Sequence, residues 1–259
     1  MSRIVCQFSC GAASAVATKL AIAQYGLAQE VVIVNAFVQE EDEDNRRFLA
    51  DCEKWFGQPV VQLRDEKYGA STREVFRKVR YIKGRRGATC SARLKKEVLN
   101  AFAAPDDTFV LGYTSDEQWR LDGFIDANGS RRVIAPLIDN GLGKADVLAM
   151  VQRAGIELPR MYRLGYHNAN CVGCVKGGEG YWNKIRVDFP EVFEEMAQIE
   201  ETIGPGAYLF RNRKTKVRFS LRQLDPKSGR YQDEPDISCS GSCELVENSG
   251  LWAELREEE

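Results

Sequence analysis

The segment Arg3 to Tyr25, RIVCQFSCGAASAVATKLAIAQY, constrains the fold of this chain most. Ile4, Val5 and Phe8 suit a buried strand. Ser9 to Ser14 follow as a turn of small residues. Val16, Leu20 and Ala23 then recur as one face of a helix. Small side chains let an anion come close to the backbone, and a helix start offers free N–H groups at the positive end of its dipole. Ser9 and Ser14 add two hydroxyls. The turn reads as an oxyanion cradle of the kind that holds a phosphate; equally, small residues at such a turn let layers pack. It is neither a Walker loop nor a GxGxxG dinucleotide loop.

The same alternation continues along the chain. Strands are expected at 30–37, 59–63, 109–114 and 132–137. Helices are expected from Asp44, over Thr72 to Tyr81, after Cys90 (Leu94, Val98, Leu99, Phe102) and over Lys144 to Ala154, closed by Gly155. Strand and helix in alternation predict an α/β fold with a doubly wound, mostly parallel sheet. In such sheets ligands sit beyond the C-terminal strand ends, where the Ser9–Ser14 loop lies. Residues 1–160 form the expected nucleotide-binding unit. Residues 161–259 form a C-terminal cysteine-rich extension packing on the active-site face, with a helix opened by Asp188 and Pro190 and ended by Gly204. The acidic run from Gln39 to Asp44 reads as a solvated helix start, with Asp44 as a cap.

The net charge of −2 supplies no global field to attract nucleic acid. Locally, though, a basic stretch from Arg73 to Lys96 is interrupted only by Glu74. It reads as an anion-binding surface, with Lys83, Arg85 and Arg86 at its centre. A second basic stretch, Arg211 to Arg218, alternates as a strand or hairpin would. No apolar run approaches a membrane span, and MSRIVCQF leads straight into a strand. A cytoplasmic protein without a membrane partner is expected.

Eight cysteines in such a chain favour metal or redox chemistry over disulfide staples. Cys6 and Cys52 fall at core positions; Cys10, in the turn, fits either packing or ligand binding. Cys171-Val-Gly-Cys174 has metal-ligand spacing, its glycine letting both thiolates turn to one ion. Cys239 and Cys243 form a second close pair. Cys90, at a helix start near Arg93, is set for ligation or attack. Four thiolates in two pairs suit zinc; an iron–sulfur cluster and a thiol–disulfide couple remain open. His167, the only histidine, reads as a surface-loop residue. Tyr181 and Trp182, in a glycine-rich loop after Cys174, fit either core packing or a cover for the cysteine site.

The turn resembles the SGGxDS loop of the PP-loop adenine-nucleotide α-hydrolase superfamily. Ser9, Gly11 and Ser14 match, while Cys10 stands for the first glycine and Ala13 for the aspartate. Further pieces follow in register: Thr89-Cys90 before Leu94-Lys95, Gly112 to Arg120, Pro136-Leu-Ile-Asp139, Asp146-Val-Leu148, Gly155-Ile156, Tyr162 and the Cys171/Cys174 pair. Together they resemble sulfonucleotide (PAPS/APS) reductases over residues 3 to about 175. That resemblance implies an adenine nucleotide (PAPS, APS or ATP) held at Ser9, Cys10, Gly11, Ser14 and Gly112, with Lys83, Arg85, Arg86 and Arg120 on its anionic groups. It implies a [4Fe-4S] cluster, with zinc as the alternative, on Cys90, Cys171, Cys174 and a tail cysteine such as Cys243. It also implies a catalytic thiol, Cys239 or Cys243, and a thioredoxin-like reductant. Two alternatives stand beside it: an ATP- and cluster-dependent sulfur transferase acting on nucleic acid, and a non-catalytic, zinc-stabilised nucleotide- or nucleic-acid-binding protein. A homodimer is a further expectation.

Overall fold

The computed structural model describes residues 2–84 and 87–237. In chain order it runs β1 (Ile4–Gln7), α1 (Ala12–Tyr25), β2 (Val31–Ala36), α2 (Asp44–Phe56), β3 (Val60–Leu63) and α3 (Thr72–Val79). A short hairpin, β4 (Lys83–Gly84) with β5 (Gly87–Ala88), leads into α4 (Thr89–Ser91), a π-helical turn (Ala92–Lys96) and α5 (Glu97–Phe102). Next come β6 (Thr108–Val110), α6 (Gln118–Ala127), β7 (Arg132–Ile134), α7 (Pro136–Asp139) and α8 (Lys144–Arg153). The last part carries α9 (Arg160–Arg163), α10 (Glu179–Asp188), α11 (Pro190–Ile203) and the hairpin β8 (Phe210–Arg211) with β9 (Arg218–Phe219).

Five strands form one parallel sheet in the order β3-β2-β1-β6-β7. The chain winds outward from β1 to β3, then returns to place β6 on the other side of β1. The switch point therefore lies between β1 and β6, where Ile4 aligns with Thr108 and Cys6 with Val110. Both faces are covered. Ile4 and Cys6 pack with α1, α2 and α8, whereas Val5 packs with Val34, Phe109 and Leu99 on the other side. A strand buried on both faces must be apolar throughout, which accounts for the runs IVC and VVIV. The fold class is thus a doubly wound α/β sheet.

A separate core joins α10 and α11 to α3 and to the segment around β4 and β5; Trp182, Met196 and Leu221 are fully buried in it. The strand expected over 109–114 ends at Val110, and three further departures bear on the site. The loop expected through Trp182 becomes helical at Glu179, because Tyr181, Trp182 and Ile185 form a buried face. Trp182 is therefore a core residue. The strand expected through Leu137 ends at Ile134, since Pro136 starts α7 at a position where its missing N–H is harmless.

The acidic run is the third departure. It is no solvated helix start. Glu40 accepts from Ser71 Oγ (2.6 Å) and Thr72 N (2.8 Å), fixing the start of α3. Asp42, almost fully buried, takes Arg160 at 2.6 Å and also accepts the Asp44 amide. Asp44, rather than capping α2, accepts from Arg47 and from the Arg160 amide. These bonds tie the end of β2 to the segment that precedes Cys171. Among the described residues, no helix is long and apolar enough to cross a membrane.

Candidate nucleotide cleft and cysteine site

A cleft of about 500 Å³ opens at the switch point, beyond the C-terminal ends of β1, β2 and β6. That is within the roughly 300–1,000 Å³ typical of small-molecule sites. Ser9, Gly11, Ser14, Gly112 and Arg120 all line it. Its floor is the turn between β1 and α1. Ser14 Oγ accepts from the Ser9 amide and the Ser9 hydroxyl (3.2 Å each) and donates to Gly11 O at 2.9 Å. The hydroxyls thus fix the turn first. α1 has no side-chain cap and no acid in its first turn, so its leading N–H groups are available to an anion. Among the described residues, Ala12 N meets a side chain, the Tyr162 hydroxyl at 3.4 Å. Burial pushes that phenol up to about 12, so it stays a neutral hydrogen-bonding group at the helix start.

Cys10 is the residue of the turn that does not line the cleft. Its backbone takes a left-handed φ of 57°, the conformation for which a glycine is the usual occupant. Its thiol turns inward and accepts from Asn35 Nδ2 at 3.6 Å. Burial, and then the nearby charge of Glu41, pushes the thiol pKa well above its ordinary value. Cys10 can offer a ligand its backbone alone. Ala13 lines the cleft and brings no charge.

Besides Arg120, the walls carry groups that sequence reasoning did not assign to the site. Lys95, in the π-helical turn, reaches the cleft and pairs with Glu41 at 3.0 Å, both side chains more than nine-tenths buried. Arg120 lies over the Tyr113 ring, 4.3 Å from its centroid, and pairs with Glu117. Trp119 stands at the rim, 72% exposed. Asn168 and Asn170 both donate to Ile237 O, at 3.1 and 2.7 Å, holding Pro235–Ile237 along the cleft. Asp236 of this strap meets Lys144 and, at 3.1 Å, His167, whose ring stacks on Tyr231. A lysine in a basic run and asparagines in a polar loop carry no periodicity to mark them; their roles depend on partners distant in the chain.

Lys83 lies elsewhere. Its ammonium donates to Val175 O and lies 5.9 Å from the centroid of Phe210, in the C-terminal core. Burial lowers its pKa to about 8. It does not line the cleft. Arg85 and Arg86 lie outside the described residues, as do Cys239 and Cys243.

The cysteines divide between the two cores. Cys6, Cys10 and Cys52 are buried beside the sheet, and desolvation raises Cys6 and Cys52 to about 12. These are packing thiols. Cys171 and Cys174 belong to the other core, and Cys90 packs against it. The CxxC turn is held at every step. Cys171 pairs as a β-bridge with Glu41, and Val172 N donates to Glu40 O at 2.8 Å. The Tyr181 hydroxyl accepts from Cys174 N (2.9 Å) and donates to Cys171 O (3.2 Å). Gly173 has φ +75°, and a Cβ there would stand 2.6 Å from Val192 Cγ1 and 3.3 Å from Trp182. Left-handed strain and overpacking therefore combine, and Gly173→Ala is expected to cost about 2–4 kcal/mol in urea unfolding. Among the described residues, no three side chains form a metal-holding group.

Neither a family model nor a curated protein matches this chain.

Proposed function

We propose that the cleft binds an adenine nucleotide and that the neighbouring cysteine site performs sulfur chemistry on it, as in sulfonucleotide reduction. One observation carries this reading: the segments that bear the cysteines also wall the cleft. Lys95 lines it five residues after Cys90, and Asn168, Ala169 and Asn170 line it just before Cys171. The first turn of α1 then takes a phosphate or sulfate group, with Arg120, Lys95 and Lys144 as cations lining the cleft.

In such a reaction a cysteine thiolate attacks the sulfonyl sulfur. The sulfur–oxygen bond to the nucleotide breaks, and the nucleotide leaves with its electron pair. The S-sulfonated cysteine is then reduced by a dithiol, which becomes a disulfide as sulfite departs. Cys239 or Cys243 would supply that thiolate. Cys90, Cys171 and Cys174 have the donor chemistry for an iron–sulfur cluster or zinc; a complete set would draw on the tail. A bound cluster would supply redox chemistry to the site.

Calorimetry with APS, PAPS and ATP on anaerobically purified protein tests the binding step. At least one nucleotide is expected to bind. Arg120→Met is expected to weaken it about 10- to 100-fold, the worth of a charge-assisted hydrogen bond. If none of the three binds, the reading fails. Sulfite release with a thioredoxin-type reductant, beside iron and acid-labile sulfide content, then separates a reductase from a binding protein.

A further inference from the structure

We propose that the β8–β9 hairpin is a docking element for the phosphate backbone of a nucleic acid. The proposal goes beyond the nucleotide reading and does not depend on it. From Pro205 to Leu224 the chain contains no acidic residue, in a protein whose net charge is −2. Residues 211–217 are all exposed. Arg211, Arg213, Lys214 and Lys216 project there with no ion-pair partner among the described residues. Two exposed cations nearby are instead paired: Arg222 with Glu194 and Glu201, and Arg77 with Glu74 and Glu195. The tip differs in gathering four unpaired cations, among the described residues, on one turn.

The hairpin is also built to hold its shape. Glu200, fully buried, accepts from Leu209 N and Leu221 N at 2.6 Å each, clamping the two ends where they leave the core. Phe210 and Phe219 stack across it, and Arg218 donates to Tyr208 O at 2.6 Å. At the tip, Asn212 Oδ1 accepts the amides of Lys214 and Thr215, and Asn212 N donates to Val217 O. Four like charges on a rigid turn repel one another and return no contact within the fold. Being spread over a turn rather than converging on a point, they match repeated phosphates better than one small anion. Their array roots in the core that also holds Cys171 and Cys174.

Fluorescence anisotropy with labelled duplex and single-stranded oligonucleotides, read across a salt series, tests this. The wild type is expected to bind at low salt. The variant R211Q/R213Q/K214Q/K216Q should bind at least about tenfold more weakly, with the log–log salt slope reduced by about 3, since each phosphate contact contributes roughly 0.7–0.9. The tip variant R213Q/K214Q should lose about half of that slope. Circular dichroism melts of both should match the wild type, because the Glu200 clamp is untouched; if the fourfold variant does not fold, the tip variant decides. Three outcomes overturn the proposal: no oligonucleotide binding by wild type, an unchanged slope in a folded variant, or equal affinity for polyglutamate, which would mark an acidic protein partner instead.

Discussion

Glu200→Leu is expected to destabilise the protein by about 2–6 kcal/mol, because two buried amides each lose their acceptor at about 1–3 kcal/mol and leucine satisfies neither. Those amides, Leu209 N and Leu221 N, are the points where the β8–β9 hairpin joins the core. Glu200→Gln keeps one acceptor oxygen and should cost about half as much. Urea unfolding at neutral pH measures both. The wild type also carries a pH signature. Burial raises Glu200 from 4.5 to about 7, against the opposing pull of the two amides and Lys83. Between those values the folded chain holds a proton that the unfolded chain has released. Stability from this group is therefore full below pH 4.5 and declines as pH rises towards about 7, by roughly 3 kcal/mol in all. The glutamine variant should lose that slope. Lys83 acts in a separate window: its pKa, lowered from 10.5 to about 8 by burial, makes stability rise as pH climbs between those values.

The residues of this clamp also show where sequence reading stops. Glu200 falls on the apolar stripe of α11, four residues after Met196 and seven after Phe193, but nothing local names the two amides that it accepts from. The same holds for Asp42, whose partner Arg160 is 118 residues away. It holds for Lys83, which a basic run places on the surface and the fold places under Val175. A charged residue's fate depends on a partner that the chain brings in from afar. The apolar runs of β1 and β2 were legible because a strand buried on both faces has to be apolar. The cleft was legible for a related reason. A small-residue turn between a strand and a helix has one place in a doubly wound sheet, and Ser9, Gly11, Ser14, Gly112 and Arg120 all arrive there. Cys10 was half legible. Its position in the turn could be read, but the inward direction of its side chain follows from the left-handed backbone, which sequence alone did not show.

Gly112→Val is expected to weaken nucleotide binding by about 100-fold or more while costing the fold only about 1–3 kcal/mol. Gly112 follows β6 at the switch point, and its backbone lies against the start of α1. A Cβ there would stand 3.1 Å from Ser14 Cα, 3.2 Å from Ser14 N and 3.4 Å from Ala13 C. All three are backbone atoms of the first turn of α1, which cannot rotate away as a side-chain end can. The strand and the helix must separate, and the amides that would face a phosphate move with them. Alanine adds the Cβ alone and should give a smaller loss, so valine, alanine and glycine form a graded series at one site. Because the φ of Gly112 is not in the left-handed region, the effect is steric and carries no backbone strain. Calorimetric titration of the three proteins with the nucleotide that binds wild type gives the comparison. A valine variant that unfolds like the wild type and binds equally well would mean that the ligand does not rest on the first turn of α1. The phosphate cradle would then be a packing turn, and the cleft would have to recognise its ligand from the Lys95 and Arg120 walls.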